Sequence, residues 1–343
     1  MRIALDAMGG DHAPDSTVAG ALAAADADFE IILVGDEGII SEQIADAKVG
    51  GLPPNCTIRH ATEVVEMEDS PAAALRRKRD SSLRVAFELV AGGQADAVVT
   101  MGNSGAALAA GMFVVGRLPS VIRPAITALV PSRNAPVVVL DVGANVDCRP
   151  EHLHQFALMG RAFAEVGLRR ESPRVAVLAN GTEDEKGTDL TRAASQLIDA
   201  DPALNYVGLA EPGDVFTGAA DVVVTDGFTG NVFLKTAEAT STQMVELVRE
   251  AAASGVVPKL GGLLLRPALR STLARLDAAE VGGALLLGID AITVIGHGSA
   301  DSRSVANALR TAARLHTDGL LDRVGEALRV ADAPAGAPAV RPS

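Results

Sequence analysis

Short apolar runs recur along the chain, at residues 3–5, 31–34, 98–101, 126–130, 137–140, 175–178, 222–225 and 292–295, with polar, helix-compatible segments between many of them. Runs of this length, rich in β-branched residues and bounded by turn formers, read as buried strands. Strands that alternate with helices predict a three-layer α/β/α fold built on a doubly wound, mostly parallel sheet. One stretch departs from this rhythm. Residues 97–116 form an uncharged segment of twenty residues, long enough to cross a bilayer. Gly102-Asn103-Ser104-Gly105 interrupts it, so it is expected to be a strand, a polar loop and a small-residue helix from Ser104.

Ligands in open α/β sheets sit beyond the carboxyl ends of the strands. Six loops after apolar runs are therefore of interest: Asp6-Ala7-Met8-Gly9-Gly10-Asp11-His12, residues 101–105, Asp141-Val142-Gly143-Ala144-Asn145, residues 181–187, Asp226-Gly227-Phe228-Thr229-Gly230-Asn231 and Ile295-Gly296-His297-Gly298-Ser299. None matches a P-loop or a dinucleotide fingerprint. One glycine-rich loop alone is ordinarily a tight turn. Their repetition at strand ends marks the set as candidate substrate loops. The loop at 226–231 also hands a strand over to a helix N-terminus, where backbone N–H groups favour anions.

Length and composition add bounds. With 343 residues, 48% of them hydrophobic, the chain can bury the core of one large domain or two modest ones. A single domain is expected over residues 1–331, with an Ala/Pro-rich disordered tail at 332–343. A net charge of −13 argues against nucleic-acid binding, which needs a broad basic surface. Cys56 and Cys148 form no metal or disulfide pattern, no signal peptide precedes the first strand, and a cytoplasmic protein is expected.

The candidate chemistry is sparse. There are only 5 lysines against 25 arginines, yet Lys186 and Lys235 fall in or just after the loops. A loop lysine suits phosphate as a compact charge, whereas Lys235, within a helix, reads as peripheral. Asn103, Asn145 and Asn231 each sit in a glycine-containing loop, where an amide either caps a helix or donates to a substrate oxygen. His12 and His297 stand beside glycines at strand ends, as acid–base or structural residues. His152 and His154 face apart on a helix, and no metal cluster is expected. Arg76-Arg77-Lys78-Arg79 is the strongest basic cluster. Pro71 opens its segment, and Ser81-Ser82 is placed to cap a helix over 83–91, which would bring four positive charges near a helix N-terminus. Within residues 256–280, Leu269, Leu273 and Leu276 share a helical face, and Leu263-Leu264-Leu265 precedes Pro267 as an apolar tip. Core or subunit packing and docking on an anionic membrane both fit that pattern.

The loops also carry a resemblance. DAMGGDHAP, RRKRDSS, MGNSGA, LDVGANVDCRPEHLHQFALMG, GTEDEKGT, VVVTDGFTGNVFLKT and GHGSADS stand in the order found in the bacterial phosphate acyltransferases of phospholipid synthesis. The chain resembles that family over all but its tail. Two departures are MGNSGA in place of AGNTGA, and Val281-Gly282-Gly283 without an aromatic residue before the glycine pair. The resemblance implies a homodimer with a fold similar to the phosphotransacetylases and the isocitrate and isopropylmalate dehydrogenases, without a cofactor. It implies acyl-acyl-carrier-protein and inorganic phosphate as substrates, and acyl-phosphate as product. It also implies peripheral membrane attachment through a protruding helical tip at about residues 240–285, beside a downstream glycerol-3-phosphate acyltransferase. Lys186 and Asn231 match residues important in that family.

Phosphate is itself a competent oxygen nucleophile, so attack on a thioester needs alignment rather than a serine or cysteine. The expected site uses Lys186 and the glycine-loop N–H groups to hold phosphate, and Asn231, with Asn103, to stabilise the oxyanion. His297 is the expected proton donor to the leaving thiolate. Asp6, Gly9, Gly10, Ser104, Gly105, Asn145, Gly181, Asp226, Gly227, Thr229 and Gly230 complete the expected substrate loops, with Asp226 ordering its turn. Residues 76–79 are the expected contact for the acidic carrier protein. A phosphotransacetylase acting on acyl-CoA and a non-catalytic membrane scaffold are the alternatives.

Overall fold

The computed structural model describes residues 1–25, 28–47, 50–183, 185–274 and 283–332, with the side chains of 266–274 and 330–332 left undescribed. The described strands are β1 (Arg2–Asp6), β2 (Glu30–Gly35), β3 (Cys56–His60), β4 (Ala97–Thr100), β5 (Ala125–Val130), β6 (Val137–Leu140), β7 (Arg174–Leu178), β8 (Asn205–Ala210), β9 (Val222–Val224), β10 (Ala284–Leu287) and β11 (Ile292–Ile295). The described helices are α1 (Asp15–Ala24), α2 (Glu37–Asp46), α3 (Pro71–Arg77), α4 (Ser82–Ala91), α5 (Ser104–Ala110), α6 (Pro150–Gly167), α7 (Asp189–Asp199), α8 (Pro212–Thr217), α9 (Gly227–Ala253), α10 (Val256–Ala274), α11 (Ser302–Thr317) and α12 (Leu320–Asp332).

All eleven strands join one sheet in the order β3-β2-β1-β4-β11-β10-β5-β6-β9-β7-β8. Strands β3, β2, β1, β4 and β11 run in one sense, and β6, β9, β7 and β8 in the other. The reversal is made by the antiparallel pairs β11·β10, β10·β5 and β5·β6. Because successive strand side chains point to opposite faces, Ile3 and Leu5 pack into one core and Ala4 into the other. The first core lies under α1, α2, α6, α7, α11 and α12, and the second under α3, α4, α5, α8 and the first turns of α9. This is the expected three-layer, mostly parallel architecture.

Each expected strand is present, and three were not foreseen. β3 and β8 lie at the two edges, paired on one side only and partly solvated, so their sequences CTIRH and NYVGLA carry polar residues and glycine. β10 begins inside the segment expected as the tip, and its Ala284–Leu287 run is a strand inserted antiparallel between β11 and β5.

The tip is made by α9 and α10. The fully buried residues of α9 are Gly227 and Gly230; Phe233 and Leu234 pack half-buried on the second core, after which the helix leaves the body of the protein. α10 returns against it, Gly262 facing Ala252. Leu263, Leu264 and Leu265 are exposed, Leu264 at 82%. Leu269 and Leu273 lie outside the residues whose side chains are described. Among the described residues no helix is long and apolar enough to cross a membrane.

Close packing of helix on sheet depends on Gly160 of α6. A Cβ there would stand 2.6 Å from Val222 and 2.8 Å from Leu140. Gly160→Val is expected to destabilise the fold by about 1–3 kcal/mol through overpacking. The check is a lower urea midpoint with an unchanged slope.

Candidate active site

Asp141, fully buried at the end of β6, organises the loop that follows it. Its Oδ1 accepts from the N–H groups of Ile126 (3.1 Å), Gly143 (3.1 Å) and Ala144 (2.9 Å). Its Oδ2 accepts from the Asn145 N–H at 2.6 Å and from the Asn145 amide at 2.8 Å. Burial pushes the carboxyl up, and these donors pull it back toward the ionised form. The loop in turn receives the start of α9: Gly227 N–H donates to Asn145 O at 2.7 Å. A Cβ on Gly227 would meet the Asn145 backbone at 2.7 Å, and one on Gly230 would meet Asp141 O at 1.9 Å. Only glycine permits that approach.

Asp226 caps α9, accepting from Thr229 N–H and Thr229 Oγ1, both at 2.8 Å. Asn231, one turn in, is exposed, points toward Gly143, and makes no hydrogen bond to a described residue. Beside it comes the loop after β7. Its Gly187 N–H donates to Asn180 Oδ1 (2.9 Å), and Thr188 caps α7 through Thr191 N–H (3.2 Å). The stem of Lys186 lies over Gly181, and its ammonium is exposed without an ion pair to a described residue. The two loops meet at the mouth of a groove of about 1640 Å³, where Asn180, Thr188, Asp226 and Thr229 line the wall. The groove continues along α9 toward α10, with mainly apolar walls. Lys186 and Asn231 are not among the residues that line the groove; they belong to the two loops that flank its mouth.

The remaining candidate loops cluster around β1, β4 and β11. Asp6 is buried at the end of β1, where Thr100 Oγ1 donates to its Oδ2 at 2.8 Å. Burial pushes its carboxyl up, against hydrogen bonds from Ser82, Thr100 and the N–H groups of Met8 and Gly9. Gly9 packs on Asp6 and Gly102, while Gly10 packs on Met101 and Gly298. His297 is exposed, its Nδ1 2.8 Å from Ser299 Oγ. Ser104 opens α5, and Gly105 lies against Pro71.

The chain matches the model of a family described as fatty acid synthesis protein over residues 1–323. It is 46% identical over 323 residues to the phosphate acyltransferase of Syntrophotalea carbinolica, spanning 94% of this chain and 92% of that one. It is 47% identical over 326 residues to the phosphate acyltransferase of Myxococcus xanthus, spanning 93% and 91%. The chain belongs to this phosphate acyltransferase family. Among solved structures it is similar to a phosphotransacetylase of Streptococcus pyogenes (TM-score 0.63, 15% identity, 93% of this chain and 94% of that one). It is also similar to the EutD phosphotransacetylase of Staphylococcus aureus (TM-score 0.58, 15% identity, 92% and 93%). Those two likenesses establish a shared fold.

Within this family member, several sequence expectations need correction. Asn103 has no amide hydrogen left for an oxyanion. Its Nδ2 donates to the carbonyls of Met67 (2.9 Å), Asp69 (3.0 Å) and Glu66 (3.3 Å), and its Oδ1 caps α5 through Ala106 N–H. Asn145 is equally committed, to Asp141 and to Pro124 O. His297 follows β11, which lies four places from β9 in the sheet and runs in the opposite sense, so its loop leaves the other edge of the sheet. It does not join Lys186 and Asn231 within one chain. In the basic cluster, Lys78 is held by Asp69 (2.5 Å) and Val64 O (2.7 Å), while Arg76, Arg77 and Arg79 are exposed. Ser81 is buried and its hydroxyl donates to Lys78 O, so the arginines gather at the C-terminal end of α3, which favours positive charge, rather than at a serine-capped N-terminus of α4.

Asp141 is a hub that is absent from the expected site residues. Its signal was present in the Asp141-to-Asn145 spacing, because a carboxylate before a glycine turn commonly binds the N–H groups two to four residues on. Asp141→Asn would set an amide N–H₂ against backbone donors. It is expected to cost about 2–4 kcal/mol, read as a lower urea midpoint than that of the parent protein.

Proposed function

We propose that the protein moves a fatty acyl group from acyl-acyl-carrier-protein to inorganic phosphate, giving acyl-phosphate for phospholipid synthesis. The observation that carries this reading is the corner where the Lys186 loop and the α9 N-terminus meet at the mouth of an apolar groove. Family membership supplies the reaction class, and the corner has the chemistry to perform it.

A phosphate oxygen attacks the thioester carbonyl carbon, the carbonyl π electrons move to oxygen, and their return expels the carrier thiolate. Lys186 balances the charge on phosphate, with backbone N–H groups at the start of α9 as further donors. Asn231 donates to the developing oxyanion through an amide that has no other described partner. A thiolate is a weak enough base to leave without an acid and then take a proton from solvent. Arg76, Arg77 and Arg79 form the exposed basic patch offered to the acidic carrier. The protein works as a homodimer in the cytoplasm and meets the membrane through Leu263, Leu264 and Leu265, close to the glycerol-3-phosphate acyltransferase that consumes its product.

The fold shared with phosphotransacetylases favours one second reading, in which acyl-CoA is the donor. Parallel assays with carrier-protein and CoA thioesters separate the two. Lys186→Ala and Asn231→Ala should each lower kcat/KM about 10²–10³-fold, the usual cost of a lost transition-state donor, without moving the unfolding midpoint. Undiminished turnover in both variants would overturn the assignment.

A further inference from the structure

A second basic cluster lies on the same sheet edge as Lys186 and Asn231. Strands β5, β6, β9 and β7 are neighbours, and β5 runs against the other three, so its start lies where they end. Along that edge stand Arg123 before β5, Arg149 after the β6 loop, Asn231 after β9 and Lys186 after β7. Asn145 ties the first two to the site: its amide donates to Pro124 O (2.8 Å), and its carbonyl accepts from Gly227 N–H (2.7 Å). Arg123 and Arg149 are exposed. Neither has a carboxylate partner among the described residues, unlike Arg84, Arg161, Arg169 and Arg174.

His152, in the first turn of the 18-residue α6, is 4% exposed. The Arg149 N–H donates to its Nδ1 at 3.2 Å. Burial first, and then the Arg149 and Arg123 guanidinium groups, hold the imidazole below its usual range. The ring is therefore neutral at pH 7, and with Nδ1 accepting, its one proton sits on Nε2. Facing that Nε2–H at 3.4 Å is Arg149 Nη2, another donor. Two N–H groups thus meet at a helix N-terminus with no acceptor between them among the described residues. An anion supplies the missing acceptor, and arginine beside a helix N-terminus is the combination that holds a phosphate group.

We propose that Arg123, Arg149 and His152 Nε2 form a second phosphate-group subsite, on the opposite flank of Asn231 from Lys186. The inference rests on the phosphate acyltransferase reading above, whose substrates offer two such groups. One is inorganic phosphate, and the other is the phosphate ester of the pantetheine arm that bears the thioester.

The test compares Arg123→Gln, Arg149→Gln and, in the β5–β6 hairpin at the opposite edge, Arg133→Gln with the parent protein. Transfer to phosphate is measured from acyl-carrier-protein, acyl-CoA and acyl-pantetheine, which has no phosphate ester, and binding of inorganic phosphate is followed separately by calorimetry. The two subsite variants should lower kcat/KM about tenfold or more, the cost of a lost charge-assisted hydrogen bond, through KM and with an unchanged urea midpoint. Arg133→Gln should match the parent. A raised KM for phosphate with every donor assigns the subsite to inorganic phosphate. A loss with acyl-carrier-protein and acyl-CoA that spares acyl-pantetheine assigns it to the arm. Unchanged KM values in both variants, or an equal loss in Arg133→Gln, would overturn the subsite. If the parent transfers from no thioester, the function reading fails, and the subsite stands only if calorimetry shows phosphate binding that both variants lose.

Discussion

The structure depends on one close approach of backbone to backbone. At Gly230 the carbonyl of Asp141 occupies the space where any other residue would carry its Cβ, and at Gly227 the Asn145 backbone does the same. The start of α9 therefore lies directly on the loop after β6. That seat fixes the direction in which α9 leaves the body, the height at which Asp226 caps it, and the place of Asn231 above Gly143. The groove and the tip follow from the same seat, because both are continuations of α9.

Charge is divided accordingly between groups that hold shape and groups left free. Asp141 is a buried carboxylate whose two oxygens are both satisfied by nearby loop donors, so it acts as a fixed anchor for the turn around it, whereas buried Asp6 accepts from Thr100 through Oδ2 and leaves Oδ1 without a partner among the described residues. Lys186 and Asn231 are exposed and have no described partner. A side chain already bound within the protein cannot also bind a substrate, so this difference separates the candidate reactive groups from their scaffold. The basic cluster shows the same division in miniature: Lys78 ties the loop before α3 in place and Arg76 donates to Ala72 O, while Arg77 and Arg79 are exposed without a described partner.

Much of the fold was legible because buried parallel strands carry uninterrupted apolar runs. The edge strands β3 and β8 were not, since pairing on one side relaxes that requirement. The site was legible at the level of loops and less so at the level of side chains. Asn103, Asn145 and Asn231 look alike in sequence, yet two are consumed by carbonyls or Asp141, a distinction that only long-range hydrogen bonds create. His297 follows a strand end like the other candidates, but sheet order sets it four strands away. The face of α9 went unread because Thr236, Ala237, Thr240 and Ser241 do not register as apolar, although together with Val232, Met244 and Val248 they line a continuous channel.

The central claim is that phosphate attacks a fatty acyl thioester at the corner between the Lys186 loop and α9. The most direct measurement incubates the purified protein with long-chain acyl-acyl-carrier-protein and inorganic phosphate and traps the product with hydroxylamine. The account predicts acyl-hydroxamate that appears only when phosphate is present. Hydroxamate formed equally without phosphate, or none from a folded protein, would contradict it.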